Sequence, residues 1–361
     1  RGRLYQVTNA HSTTTYNAYD KMGNVTRESK TIAGNATTHT TRYEYDLAGR
    51  ITRTIYPDGY AVRNDYHPGS GLLASVRDPQ EKLLAYLSNY TPGGKIGKIQ
   101  YHNAVVTQYE YDPESTRLMS ILTHGTQVVS NHSASASFGA SQSVQSSSNN
   151  QSATMIWMPS PVKQVYHQMK SYRYTPAGDI KEIHDSIAGA SFYFTYDKLH
   201  RLKSETNTSS YDPINYTYDA VGNLRSKTVG SRRIDYTYDT WHKHAVKTIE
   251  LNGFAHQYEY DDNGNMISGP DFSDPAQVAT RSISYNADNM PTRIIHNKSG
   301  RQLTTDFVYD GDGVRVKKII ANGSTIYYIG AHYEIKDGAA LKYIFAGNLR
   351  IAQISASGTQ Y

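Results

Sequence analysis

Two histidines two residues apart, in Trp241-His242-Lys243-His244, are the first candidates for chemistry. On a strand both imidazoles would share one face, and a third ligand from a neighbouring segment would complete a zinc-type site. Two further runs, Asp261-Asp262-Asn263-Gly264-Asn265 and Asp310-Gly311-Asp312-Gly313, have the oxygen-rich, glycine-broken character of calcium loops. Neither has the downstream bidentate glutamate at the right spacing. A Walker loop, a dinucleotide fingerprint, H-E-x-x-H and G-x-S-x-G are all missing from the sequence. The expectation is a protein that is not an enzyme, with no catalytic residues, no bound cofactor and no metal site.

The same runs have a simpler origin, because they fall on a pattern that recurs along the chain. Its best copies read Y-x-Y-D-x-x-G: Tyr43, Tyr45, Asp46 and Gly49; Tyr216, Tyr218, Asp219 and Gly222; Tyr258, Tyr260, Asp261 and Gly264. Tyr19, Asp20 and Gly23 form a close relative, as do Tyr309, Asp310 and Gly313. Degenerate copies sit at Tyr66, Tyr90, Tyr111, Tyr174, Tyr196, Tyr238 and Tyr285. Counted from the tyrosine before the turn, successive steps are 26, 21, 24, 21, 63, 22, 22, 20, 22, 25 and 24 residues, so one step holds an insertion. On this reading the two histidines lie in a degenerate repeat turn, and the acidic runs are turn chemistry.

Each copy describes a β-hairpin. Tyrosines two apart share a strand face, and their aromatic rings suit a pleated surface. An aspartate opening the turn bonds the backbone two residues on, and a glycine closing it supplies positive φ. Apolar and polar residues then alternate, as in Ile51-Thr52-Arg53-Thr54-Ile55. Tyr45 is expected to face the same way as Tyr43 and to bury against the next hairpin. Units of this length cannot bury their own faces and must stack on neighbours.

On these residues the chain resembles the RHS/YD-repeat family, named for the Tyr-Asp dipeptide. The segment Phe307-Val308-Tyr309-Asp310-Gly311-Asp312-Gly313-Val314-Arg315-Val316-Lys317-Lys318, with Tyr327-Tyr328-Ile329-Gly330 and Tyr343-Ile344-Phe345-Ala346-Gly347 after it, resembles the run into that family's core region. The bacterial branch, polymorphic toxins and the cocoon subunits of toxin complexes, is the closer match; animal teneurins are distant relatives. The resemblance implies an all-β fold, a ribbon of antiparallel β-hairpins curling into an open or spiral shell. It also implies that the chain is an internal piece of a larger polypeptide, since it begins mid-repeat and lacks the D-H-L-G-S motif and paired aspartates that follow in the family.

The organisation expected is repeats over 1–122, an insertion over 123–162, repeats over 163–318 and the run-in to the core region over 319–361. Ser130 to Ser152 is dominated by Ser, Asn, Gln and Ala, the composition of a disordered linker. The apolar Met155-Ile156-Trp157-Met158 supports the alternative, an ordered excursion over Ala134–Thr154 packed on the shell and anchored by Trp157.

Composition narrows the function classes. The chain has 32 tyrosines and no cysteine, so no disulfide framework exists in any compartment. A buried layer rich in tyrosine obliges each phenol to find a partner. The net charge of +5 comes from 37 Lys and Arg against 32 Asp and Glu, and the strongest basic runs are only Arg232-Arg233 and Lys317-Lys318. Nucleic-acid binding needs a clustered stripe and is not expected; nor is a membrane span. Asn-x-Ser/Thr sequons, including Asn24, Asn35, Asn207 and Asn322, matter only where the host glycosylates secreted proteins.

The leading expectation is a structural shell segment that encloses a cargo, a C-terminal toxin, for secretion or delivery. Its partners are the remainder of the polypeptide or neighbouring copies, and its place is secreted, extracellular or at the cell surface. The alternatives are an adhesion repeat whose exposed tyrosine rows bind glycans, and a subunit that self-associates into a tube or filament. A self-cleaving protease ranks last.

Overall fold

The computed structural model describes residues 2–128, 162–272, 278–321 and 323–361. Among the described residues there are thirty-one strands and no helix, and every strand pairing is antiparallel between chain neighbours. The strands divide into a sheet of 20 and a sheet of 11. The division falls within one extended stretch. Phe254–Gln257 pairs back onto Val246–Leu251, while Glu259–Tyr260 pairs forward onto Met266–Asp271, and Tyr258 between them donates its N–H to Lys247 O at 2.9 Å. The chain is thus a meander that never doubles back on its own order.

Ribbon pairing does not close into a barrel. The first strand, Gln6–Thr8, pairs only with Ser12–Tyr19, and the last, Gly358–Gln360, only with Leu349–Ser355. The all-β fold of antiparallel hairpins in an open, curling ribbon is therefore present. The two ends of the ribbon are nevertheless in contact, face to face rather than edge to edge. Ile32, Tyr56, Val62, Val76, Leu84, Leu87 and Ile99 from the early strands form one buried cluster with Val316, Ile329, Tyr333, Ile344, Ile351 and Ile354 from the late ones. Between residues 163 and 310, by contrast, the buried apolar side chains among those described are Ala190, Leu251, Pro270 and Ala279. Two layers of sheet meet where the ends overlap, and the middle repeats form a single layer.

Polar contacts pin this joint. Lys342 Nζ lies 2.5 Å from Asp58 Oδ2 and Lys30 Nζ lies 3.1 Å from Asp310 Oδ2. The Tyr56 hydroxyl donates to Tyr343 O at 3.0 Å, the Tyr327 hydroxyl to Gly34 O at 2.7 Å, and Asn9 Nδ2 to Tyr309 O at 3.0 Å. These pairs are far apart in sequence, so they fix how the ribbon coils and not how each hairpin forms.

The insertion leaves the array continuous. Leu118–Val128 pairs with Val162–Tyr174 from Ser120↔Ser171 to Val128↔Val162. Thr123 to Val128 therefore lie on a strand that runs into the expected insertion. The expectations for Ser130–Ser152, Ala134–Thr154 and Trp157 lie outside the described residues.

Candidate functional site

The repeated unit, a turn and the tyrosine beside it, is the site that the sequence singles out. At Asp46 the carboxylate is a turn organiser. Oδ1 accepts the N–H of Ala48 and of Arg50, both at 2.9 Å, while Gly49 N–H bonds Asp46 O and Asp46 N–H bonds Arg50 O, both at 3.0 Å. Gly49 has φ +77°, a conformation that costs an L side chain about 1–2 kcal/mol. The arrangement recurs at Asp20 with Gly23, Asp219 with Gly222, Asp261 with Gly264 and Asp310 with Gly313. Backbone and side-chain hydrogen bonds from Arg50 hold the Asp46 carboxyl below the usual carboxylate range, and those from Asn24 and Asn265 do the same for Asp20 and Asp261. Where the repeat has no glycine, Thr116, His200 and Asn289 adopt the same left-handed backbone, at φ of 55°, 60° and 58°.

Every repeat turn except the one at Tyr90 also carries a register irregularity. Glu44 pairs with Arg53 but Tyr45 with Ile51, and Thr217 pairs with Ser226 but Tyr218 with Leu224. The extra residue on the outgoing strand is a β-bulge, which bends the hairpin end. The next hairpin then stops short of that end. Its pairing ends at Arg53↔Arg63, two residues before Ile51, and the same gap is left at Val25, Leu202, Leu224, Val246 and Met266.

The repeat tyrosine closes the gap. The Tyr66 hydroxyl donates to Ile51 O at 2.8 Å, Tyr218 to Leu202 O at 2.7 Å, Tyr260 to Val246 O at 2.8 Å and Tyr309 to Pro291 O at 2.7 Å. Tyr45 donates to Val25 O at 2.9 Å and Tyr19 to Leu4 O. The degenerate copies Tyr90, Tyr111, Tyr174, Tyr196, Tyr238 and Tyr285 do likewise, and Tyr174 reaches Leu118 O at 2.7 Å across the insertion. Each phenol therefore bonds the preceding hairpin, which corrects the expectation that Tyr45 buries against the next one. The reason is the bulge, which frees a carbonyl behind the tyrosine. Burial raises the Tyr45 and Tyr218 phenols above their ordinary pKa, so they remain donors at neutral pH.

The residue after the glycine completes the unit. Arg50 and Arg201 lie over the rings of Tyr66 and Tyr218 at 4.4 and 4.5 Å. Arg50 Nη1 donates to Gly71 O at 2.8 Å, and Asn223 Nδ2 donates to Lys243 O at 2.8 Å, so each turn is tied to the next. Sequence reasoning assigned these residues no role, although the G-R and G-N dipeptides were visible. The other tyrosine of each motif varies in use. Tyr43 donates to Glu28 Oε1 at 2.9 Å, Tyr216 has Lys227 Nζ at 5.8 Å from its ring, and Tyr258 packs on Gly269, where a Cβ would approach its ring to 2.4 Å.

The metal candidates disperse. Trp241 to His244 lie in a turn and not on a strand, because the loop from Asp239 to Ala245 is longer than its counterparts and closes by Asp239 N–H to Ala245 O at 2.9 Å. His242 leans on the next repeat, its ring 6.4 Å from that of Tyr260, while His244 Nδ1 sits 2.7 Å from Asn223 Oδ1 of the repeat before. In the acidic runs, Asp261 accepts from Asn263 N, Asn265 N and Asn265 Nδ2, and Asp310 Oδ2 faces Lys30. Among the described residues no three His, Cys, Asp or Glu gather as a metal site.

The sequence matches no protein-family model and no curated protein. The fold, however, is shared with solved structures. A chain of the Photorhabdus luminescens Tc holotoxin pore, with a TccC3-D651A mutation, aligns with TM-score 0.57 at 15% identity over 98% of this chain and 18% of that one. TcdB2-TccC3 aligns with TM-score 0.55 at 14% identity over 99% and 20%, and TcdB2-TccC3 without its hypervariable C-terminal region with 0.56 at 15% over 99% and 20%. The chain spans about a fifth of the length of the structures it matches. What is shared is the all-β fold, over nearly all of this chain.

Proposed function

We propose that the chain is a wall segment of a shell that encloses a cargo, a toxin carried by the same or a larger assembly, for delivery outside the producing cell. The observation that carries this reading is the coincidence of fold along 96–99% of the chain with Tc toxin structures. The physical case agrees. The middle repeats form a single layer while the ribbon's ends overlap in two, the arrangement of a strip wound around a space. A coiled ribbon also covers faces that an isolated sheet would expose. The reading assigns the chain no catalytic role.

Burial of the repeat tyrosines weakens the adhesion alternative. The hydroxyls of the tyrosines beside the turns are committed to backbone carbonyls, so that row is not free for glycans. Limited proteolysis of the whole gene product, followed by mass spectrometry, tests the shell. The expected result is a segment outside the repeats that resists protease in the folded protein and is cut when the joint is opened by Asp58→Asn with Lys30→Ala. Cleavage of every non-repeat segment at the same rate in both proteins would remove the reading.

A further inference from the structure

At the joint one repeat aspartate departs from its relatives. In the four turns most like it, the residue after the glycine gives the aspartate's Oδ2 a side-chain donor. Asn24 donates to Asp20 at 2.8 Å, Arg50 to Asp46 at 2.7 Å, and Asn223 and Asn265 to Asp219 and Asp261 at 2.9 Å. At Asp310 that residue is Val314, whose side chain has no donor. Oδ1 still accepts the N–H of Asp312 at 3.1 Å and of Val314 at 2.8 Å. Oδ2 is met instead by Lys30 Nζ, 280 positions away in sequence and 3.1 Å away in space. The two side chains are only 12% and 7% exposed. Lys30 shares its strand face with Ile32 and lies opposite Thr14 and His39, and all three are buried. Glu28, two residues earlier on that face, is held by the Tyr43 hydroxyl at 2.9 Å. Burial first, and then the charges of Glu28, Asp312 and Asp310, raise the Tyr16 phenol, so these carboxylates face one corner of the joint.

We propose that Lys30 and Asp310 condense in the folded protein into a side-chain amide, a covalent cross-link between the two ends of the ribbon. Taking both charges out of water is costly, so the buried setting favours passage of one proton from the Lys30 ammonium to Asp310 Oδ2. That leaves an amine beside a carboxylic acid. The amine lone pair attacks Cγ, and the negative charge developing on Oδ1 meets the two N–H groups already aimed at it. Glu28 takes a second proton from the nitrogen and passes it to Oδ2, the Cγ–Oδ2 bond breaks, and water leaves. One C–N bond replaces one C–O bond, and no oxidant or other reactant enters. Condensation is unfavourable between free groups in water, but an aligned pair within one fold reacts as though at about a hundred thousand molar or more. The other repeat aspartates named above face an amide or a guanidinium on Oδ2, and neither is a nucleophile. The bond would tie the overlap permanently, as a disulfide does in a chain that has cysteine.

The test is mass spectrometry of the purified protein, denatured and digested with trypsin, a readout that needs no variant to fold. The peptide beginning at Glu28 should appear uncut after Lys30 and joined to the peptide holding Asp310, lighter than the two together by one water molecule. Lys30→Arg keeps the charge beside Asp310 but has no amine to condense, so its two peptides should separate at full mass. In Glu28→Gln the joined peptide should fall to a minor fraction, because losing a general base slows such a step by about a hundredfold or more. Recovery of both wild-type peptides at full mass, with cleavage after Lys30, would mean an ion pair only and overturns the proposal. A joined peptide that persists in Lys30→Arg overturns it as well, since the link would then lie elsewhere. A yield that Glu28→Gln leaves unchanged overturns the part given to Glu28.

Discussion

The Tyr218 hydroxyl donates to the Leu202 carbonyl at 2.7 Å, spanning a gap that strand pairing leaves open between two hairpins. The bulge at Tyr196, which pairs with Leu202, and the early end of pairing at Ser204↔Asn215 create the gap together, and one phenol oxygen fills it. A dozen such bonds make the repeat a ladder in which side chains continue what the backbone leaves unfinished.

Tyr218→Phe removes one rung while keeping the ring, and leaves the Leu202 carbonyl without its partner. The expected loss is about 1 kcal/mol. Tyr211→Phe is the control, since Tyr211 is 72% exposed, and it should change stability by less than about 0.5 kcal/mol. Urea titration monitored by circular dichroism measures both, and equal effects would show that the phenol bond contributes nothing.

Much of this was legible in the sequence for a physical reason. Spacing fixes hairpins, and Asp-x-x-Gly fixes turns, because both depend on residues near one another; Asp46 and Gly49 sit where the pattern places them. Two things were not legible. The direction of the Tyr45 phenol depends on a bulge whose extra residue looks like any other strand residue. The joint depends on pairs such as Tyr56 with Tyr343, separated by 287 positions, whose meeting is set by the accumulated twist of many hairpins and by no local signal. The histidines of the 241–244 stretch lie in a turn, as the degenerate-repeat reading has them, since a longer loop erases the two-residue periodicity on which a shared strand face relies.

Gly222 has φ +99°, so Gly222→Val forces a β-branched residue into a conformation it avoids. A loss of about 2 kcal/mol or more is expected, against less than about 0.5 kcal/mol for Arg225→Ala on the exposed face of the following strand. Thr116 gives the converse. It already holds φ 55°, so Thr116→Gly should relieve strain and stabilise by roughly 0.5–1 kcal/mol. Chemical denaturation of the three variants tests the turn assignment, which fails if Thr116→Gly destabilises as much as Gly222→Val.

Acid should loosen the joint. His39 is 7% exposed, with Asn35 Nδ2 3.1 Å from its Nε2 and the Tyr333 ring 6.4 Å away, and His332 lies against Phe345. Burial lowers the pKa of both below 6.5. A base whose folded pKa is depressed takes up protons more readily when unfolded, so its contribution is intact above pH 6.5 and declines as pH falls below that value. Tm measured from pH 7.5 to 5 should drop, and His39→Gln with His332→Phe should flatten that slope. The expectation fails if the double variant keeps the wild-type slope.

The Lys342–Asp58 pair should matter more than the ion pairs on the ribbon's surface. Lys342 is 9% exposed, its ammonium lies 2.5 Å from Asp58 Oδ2 and 5.2 Å from the centre of the Tyr60 ring, and it joins layers 284 residues apart. Asp58→Asn keeps an acceptor for the Tyr60 N–H within the turn but strands the buried ammonium. The expected loss is about 2–3 kcal/mol. Adding Lys342→Met, which fills the same path without charge, should recover most of it, because a buried pair is often no more stabilising than an apolar replacement. Breaking the exposed Arg53–Glu44 pair should cost about 0.5 kcal/mol or less. Hydrogen exchange locates the effect. In Asp58→Asn the amides of Tyr333–Lys336 and Ala339–Ala346 should lose protection while those of Ile214–Tyr218 and Leu224–Val229 keep theirs, because the middle repeats are held by their own tyrosine ladder and do not depend on the joint. Uniform loss of protection along the whole ribbon would mean that joint and ladder unfold as one unit.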